Sequence, residues 1–354
     1  MSNAKTLLLS SSPHISSPQD SKVLMRTVLL ALAPVAIFGI IMFGIPALLN
    51  IIVSMAAAIA GEALFRAVTR QQQRFTDLSA AVSGLLLALV LPPTTPLWMT
   101  ALGAVFAVVV AKEFFGGLGA NVFNPALVGR AFLLMSFPAA ITTWLNPSLP
   151  LFNPSDAVTG ATPLGIIVQG GSLADVGSSL QAFGLGGSNW SMITTLFIGF
   201  RGGCTGEISI LLILLAGIFL AATRVIDWRT PVSMIAAGFI SALVLGMDPV
   251  FSVLTGGLVF GAVFMATDYA TTPVTPKGKI IFGIGAGIIT MLIRKWGTYP
   301  EGVSYSILIM NAATPFLNKL LPRKYGFVPK KKPPRANAAA AAGTAGEKGK
   351  EAAK

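Results

Sequence analysis

Apolar runs of near-spanning length alternate with short polar breaks along most of the chain. Ten such runs are read, at 23–43, 45–65, 78–91, 97–111, 126–145, 208–222, 232–245, 250–267, 280–293 and 303–320. Crossing the hydrocarbon core takes roughly 20 apolar residues, and several of these runs are shorter. Gly and Pro interrupt them, as in broken or re-entrant helices that line an interior site. The pattern predicts an all-α polytopic membrane protein of about ten transmembrane helices. The longest break divides a first five-helix half, 23–145, from a second, 208–324. It spans 146–207 and reads as an external loop. A cytoplasmic N-terminal segment, 1–22, precedes the helices. A basic tail, 325–354, follows them and ends in an Ala/Gly/Lys/Glu stretch that reads as disordered.

Composition supports the same class. Hydrophobic residues make up 54% of the chain, charged residues 11%, and the mean hydropathy is +0.76. A soluble domain cannot hide that much apolar surface. Residues 1–22 carry a polar S-S-S-P-H-I-S-S-P-Q-D-S-K run in place of an apolar signal core, so no cleavable signal is expected. The net charge of +12 would suggest nucleic acid until the charges are located. They border the apolar runs and crowd the C-terminus. They therefore read as orientation signals and contacts to anionic membrane lipids, and no nucleic-acid partner is expected.

Those charges also orient the chain. No Lys or Arg occurs from 131 through 200. Arg66, Arg70, Arg74, Arg224, Arg229, Lys277, Lys279, Lys330, Lys331, Lys332 and Arg335 all fall on one side if the N-terminus is cytoplasmic. The reading is N-in and C-in, with the 146–207 loop outside. Arg201, Arg294 and Lys295 are the exceptions. A shift of 154 positions pairs Gly84 with Gly238, Ala88-Leu89-Val90-Leu91 with Ala242-Leu243-Val244-Leu245, and Gly103 with Gly257. Two five-helix halves, each with an odd number of spans, would be inverted relative to one another and place functional groups between them.

The richest chemical signal is D-A-V-T-G-A-T at 156–162. It matches D-x-x-[ST]-G-A-T, at which a flavin transferase esterifies FMN through its phosphate to the last threonine. Thr162 would supply the ester oxygen, Gly160 and Ala161 would leave the backbone accessible, and Asp156 would serve recognition or positioning. The bland alternative is an ordinary turn with a solvent-facing Thr162. A second stretch, G-G-L-G-A-N-V-F-N-P-A at 116–126, breaks the fourth run and places Asn121 and Asn124 three apart at the start of the fifth. They read either as cap and turn groups or as hydrogen-bond partners for a polar ligand such as an isoalloxazine or ribityl chain. Arg201 opens R-G-G-C-T-G-E before the sixth run. It is either a phosphate partner or a snorkelling membrane-edge residue. Glu62, Glu113, Asp248 and Asp268 lie in or at the ends of runs, where ionisable groups mark ion paths by default. Glu62 and Glu113 are the ion-path candidates. A lone Cys204 and a lone His14 leave no disulfide and no all-cysteine cluster, and no metal site or side-chain catalytic centre is expected.

Together with S-S-P-H-I-S-S-P at 11–18 and M-N-A-A-T-P at 310–315, these stretches resemble the RnfD family, a membrane component of the Rnf complex. That complex is an ion-translocating ferredoxin:NAD oxidoreductase of bacterial membranes. The NqrB component of the sodium-pumping NADH:quinone oxidoreductase is similar. The resemblance runs from about 10 to 324. It implies a urea-transporter-like fold of ten helices in inverted repeats, in the bacterial inner membrane. It implies FMN as a phosphoester on Thr162, facing the periplasm or exterior. Asn121 and Asn124 fall where the family binds a second, non-covalent riboflavin. Partner membrane and iron–sulfur subunits would supply the clusters and the nicotinamide site. Thr159 stands where the quinone-reductase relative has serine, and that relative's longer N-terminal region is absent, so the Rnf branch is favoured. The rival readings are a small-solute channel or carrier and a passive membrane anchor.

Overall fold

The computed structural model describes residues 20–73, 77–145, 162–181, 189–297 and 301–320. The helices, in chain order, are α1 (Ser21–Phe43), α2 (Ile45–Val68), α3 (Ser79–Leu89), α4 (Leu97–Val109), α5 (Pro125–Ser136), α6 (Pro138–Ile141), α7 (Pro163–Val168), α8 (Leu173–Gln181), α9 (Asn189–Ile198), α10 (Ile210–Ala222), α11 (Arg229–Val244), α12 (Pro249–Leu254), α13 (Leu258–Phe260), α14 (Pro276–Trp296) and α15 (Val303–Leu320). Helix α13 continues as a π turn over Gly261–Met265.

Four of these starts share one device. Asn124-Pro125, Thr162-Pro163, Asp248-Pro249 and Thr275-Pro276 each place a polar cap before a proline. Each cap side chain accepts a backbone N–H of the first turn. The proline lacks a donor where none can be satisfied, and the cap supplies an acceptor for the next orphan N–H.

Among the described residues, four segments are long and apolar enough to cross a membrane: Ser21–Phe43, Ile45–Val68, Leu97–Phe115 and Pro276–Trp296. The chain is a multi-pass, all-helical membrane protein. The remaining expected spans are shorter or broken. The 126–145 run ends as a helix at Ser136 and restarts at Pro138, because proline cannot continue the ladder. The 250–267 run is split between α12 and α13 by Gly256 and Gly257, both at positive φ (63° and 68°). The expected external loop holds helices of its own, α7, α8 and α9.

At the centre lies α3, buried at every residue except Ser83. A helix apolar all round belongs inside the bundle. Its Gly84 lets α2 approach, since a Cβ there would sit 2.8 Å from the Ser54 carbonyl. Outward faces of α1 and α2 expose Leu30, Ile37, Ile52 and Leu64, as lipid-facing surfaces do. Packing follows one order twice: α2 on α3 and α4, then α4 on α5; α11 on α12 and α14, then α14 on α15. This order sets α11 beside α2, whereas the ungapped 154-residue shift pairs α11 with α3. The short apolar matches of that shift are not the packing register.

Candidate functional site

Thr162 is the N-cap of α7, and its Oγ1 accepts the Gly165 N–H at 3.1 Å. Thr162 lines a small pocket together with Leu164, Arg201, Glu207, Gly256 and Glu301, among others. Thr162 and Arg201 are therefore brought together. Asp156, Gly160 and Ala161 lie outside the described residues.

A buried charge cluster backs this pocket. Arg201 donates to the Leu254 carbonyl and, at 2.6 Å, to the Glu207 carbonyl. Arg294 donates to the carbonyls of Ser252, Thr255 (3.1 Å) and Gly256 (2.9 Å), and so satisfies acceptors left open where α12 ends. Arg130 meets both carboxylates, Glu207 at 3.3 Å and Glu301, and lies 3.6 Å from Cys204 Sγ. The ligand atoms of Cys204, Glu207 and Glu301 lie within 4.8 Å of one another. Because Arg130 touches all three, their charge is met by a guanidinium. Among the described residues of this cluster, three arginines face two glutamates, an excess of one positive charge.

The glycine pair at 256–257 makes room for this cluster. A Cβ on Gly256 would fall 2.6 Å from Arg294 Nη2, and one on Gly257 would overlap the Glu207 carboxylate. Positive φ and lack of space both demand glycine there.

A second, larger cavity lies at the other end of α3. It is walled mainly by apolar side chains, including Met25, Val28, Leu86, Val263 and Phe264. Ser79, Lys112, Asn121, Asn124, Asp268 and Tyr269 supply polar groups. A mostly apolar lining with a few polar groups is the kind of wall that cofactor sites use. Both expected asparagines line it. Asn124 caps α5 through Ala126 N (3.1 Å) and Leu127 N (3.3 Å), while its Nδ2 donates to the Met265 carbonyl at 3.4 Å. The cap reading thus holds for Asn124, and the same residue lines the cavity. Asn121 precedes the helix and donates to the Phe123 carbonyl at 3.2 Å.

The separation of the two sites follows from α3. Ser79 at its start lines the cavity. At and just past its end, the carbonyls of Leu89 and Leu91 accept from Gly206 N (2.7 Å) and Thr205 N (3.3 Å), in the segment that borders the Thr162 pocket. Helix α3 has 11 residues, roughly 16 Å at about 1.5 Å per residue.

Glu62 and Glu113 do not line the cavity. They belong to a compact network with Arg66 and Lys112. Lys112 Nζ is 3.0 Å from Glu62 and 3.9 Å from Glu113. Arg66 is 3.2 Å from Glu62 and 3.1 Å from Glu113. Glu62 Oε1 and Arg66 Nε have no aligned hydrogen bond, so part of the attraction is purely Coulombic. Two cations balance two anions. Lys112 also donates to Ser79 Oγ at 2.6 Å, tying this network to the cavity wall.

Sequence reasoning missed Arg130, Glu301 and Arg294 as site residues. The available signal was a charged side chain inside or beside an apolar run, which is costly unless paired. Asp248, by contrast, is exposed and caps α12 through Phe251 N at 2.7 Å.

Comparison with known proteins fits this architecture. The chain is 45% identical over 327 residues to the D component of the proton-translocating ferredoxin:NAD(+) oxidoreductase complex of Clostridium ljungdahlii, covering 90% of this chain and 96% of that one. It is 41% identical to the D component of the Na(+)-translocating ferredoxin:NAD(+) oxidoreductase complex of Acetobacterium woodii, covering 94% and 100%. To the D component of the ion-translocating oxidoreductase complex of Stutzerimonas stutzeri it is 40% identical, covering 88% and 93%. The family described as NQR2, RnfD, RnfE matches residues 8–326. The chain therefore belongs to the NQR2, RnfD, RnfE family.

Proposed function

We propose that this chain is the electron-relaying membrane component of an ion-translocating ferredoxin:NAD oxidoreductase complex. It would carry FMN as a phosphoester on Thr162 and a second, non-covalent flavin in the Asn121/Asn124 cavity. The observation that carries the reading is the pairing of the two pockets. The threonine that ends D-A-V-T-G-A-T lines an arginine-backed pocket, one short buried helix away from an apolar cavity with a few polar groups. The flavins supply the electron chemistry; the chain supplies attachment, orientation and a dry interior.

Attachment is a phosphoryl transfer. The Thr162 Oγ–P bond forms as a P–O bond breaks in a flavin phosphoanhydride such as FAD, AMP leaves, and the hydroxyl proton passes to solvent. A flavin transferase would perform it. An ester oxygen still accepts hydrogen bonds, so the α7 cap is compatible with the modified residue. Arg201 sits in the pocket wall and contributes positive potential while holding the Leu254 and Glu207 carbonyls.

Basic residues at the cavity end, among them Lys22, Arg66, Arg70, Arg224, Arg229, Lys277 and Lys279, support a cytoplasmic position for that end in a bacterial inner membrane. The Thr162 pocket would then face the exterior. Arg201 and Arg294, two of the three exceptions to the charge rule, are buried partners of carbonyls rather than surface orientation signals; the third, Lys295, is exposed. The repeated packing order supports two inverted five-helix halves of urea-transporter type. The relatives named for proton and for Na(+) translocation are nearly equally similar, so the coupling ion does not carry over from either. Other membrane and iron–sulfur subunits would be the electron donors and acceptors. Denaturing electrophoresis of the complex tests the reading: a fluorescent band at this chain's mass, lost in Thr162→Val, is expected, and a non-fluorescent parent band would refute it.

A further inference from the structure

We propose that Glu301 is a placeholder anion. Its carboxylate holds Arg130 in the bare chain and yields that guanidinium to the phosphodiester once Thr162 is esterified. This rests on the FMN reading above and names the groups that receive its charge.

A phosphodiester is a monoanion, and the pocket beside Thr162 is lined by the carboxylates of Glu207 and Glu301. Like charges in a partly dry pocket repel strongly, so a cation must face the new anion. Of the three buried arginines, two are committed. Arg201 and Arg294 hold main-chain carbonyls at the α12–α13 break. Releasing them would orphan buried acceptors.

Arg130 differs. Its two terminal nitrogens meet carboxylates and a thiol, and its buried Nε has no hydrogen-bond partner among the described residues. It therefore has donor capacity to spare and partners that another anion can replace. Glu207 is fixed, since its carboxylate packs against Gly257. Glu301 is the exchangeable partner. It stands just before α15, and its side chain is 24% exposed against 5% for Arg130.

A guanidinium grips carboxylate and phosphate with the same fork. Exchange preserves the charge balance around Arg130 and turns Glu301 toward water. The placeholder also explains why Arg130 is tolerated before the cofactor arrives, because a buried guanidinium short of partners is costly.

The test uses the complex produced without flavin transferase, then treated with transferase and FAD. Incorporation is followed by in-gel fluorescence, and the tethered phosphorus by ³¹P NMR. Glu301→Gln should be labelled at least as fast as the parent. Arg130→Gln should be labelled about tenfold more slowly, the equivalent of one charge-assisted contact. Arg130→Lys keeps the charge and should fold. It should be labelled, with a ³¹P resonance displaced from the parent's. Slowing of Glu301→Gln to the Arg130→Gln rate, or an unmoved resonance in Arg130→Lys, overturns the exchange while leaving the FMN reading intact. A parent chain that takes up no FMN overturns both.

Discussion

The carboxylate of Glu207 occupies the space where a side chain on Gly257 would begin. That contact joins the segment before α10 to the break in the α12–α13 span, 50 positions further on. Gly257→Ala must displace Glu207 and adopt φ +68°. The backbone term alone is roughly 1–2 kcal/mol. Gly119 is also left-handed (φ 90°) but has nothing within 4 Å of a built Cβ. Thermal unfolding of the purified complex should rank Gly257→Ala well below Gly119→Ala. Equal midpoints would remove the steric account.

Arg294 closes the same break by donating to three carbonyls. Arg294→Lys keeps the charge but cannot reproduce the fork. Each buried carbonyl left unpaired costs about 1–3 kcal/mol. The variant should unfold earlier than the parent in a thermal melt, and an unchanged melt would show that the clamp is dispensable.

Glu62, Arg66, Lys112 and Glu113 should behave as one unit. Removing one partner of a buried ion pair costs roughly 3–5 kcal/mol, because a charge is stranded. Lys112→Met should therefore be severely destabilising, and adding Glu62→Gln should recover part of the loss. A double-mutant cycle on unfolding midpoints checks this; strict additivity would contradict a shared network. Since both carboxylates are paired, Glu62→Gln should also retain the ions moved per electron in proteoliposomes. Loss of that ratio would return Glu62 to the ion path.

Asn124 joins helix capping to the cavity wall. Asn124→Ala should cost about 1 kcal/mol through the lost cap and lower the acid-extractable flavin of the complex. Asn124→Asp keeps an acceptor for Ala126 N and Leu127 N but loses the donor to the Met265 carbonyl, so it should recover only part of the cap's stability. If flavin content is unchanged in Asn124→Ala, the second flavin is not held by this side chain.

Much of the fold was legible in the chain because membrane helices announce themselves by apolar length. The polar-then-proline pairs at 124–125, 162–163, 248–249 and 275–276 mark helix starts that the structure uses. Breaks were legible in kind but not always in place. Gly116, Gly117 and Gly119 end the fourth run as expected, all at positive φ, whereas Gly256 and Gly257 were hidden inside an apolar stretch. Asn121 and Asn124 both line the cavity because they lie in the turn that leads into α5. Arg130, Arg294 and Glu301 were not legible as a group. They are distant in sequence, and only the packing of α5, α14 and α15 brings their charges together.

The most direct measurement is the intact mass of this chain, with peptide mapping, from the assembled complex. The account predicts an added FMN phosphoester located on Thr162 and absent from Thr162→Val. A Thr162 peptide of unmodified mass from the mature complex would contradict it.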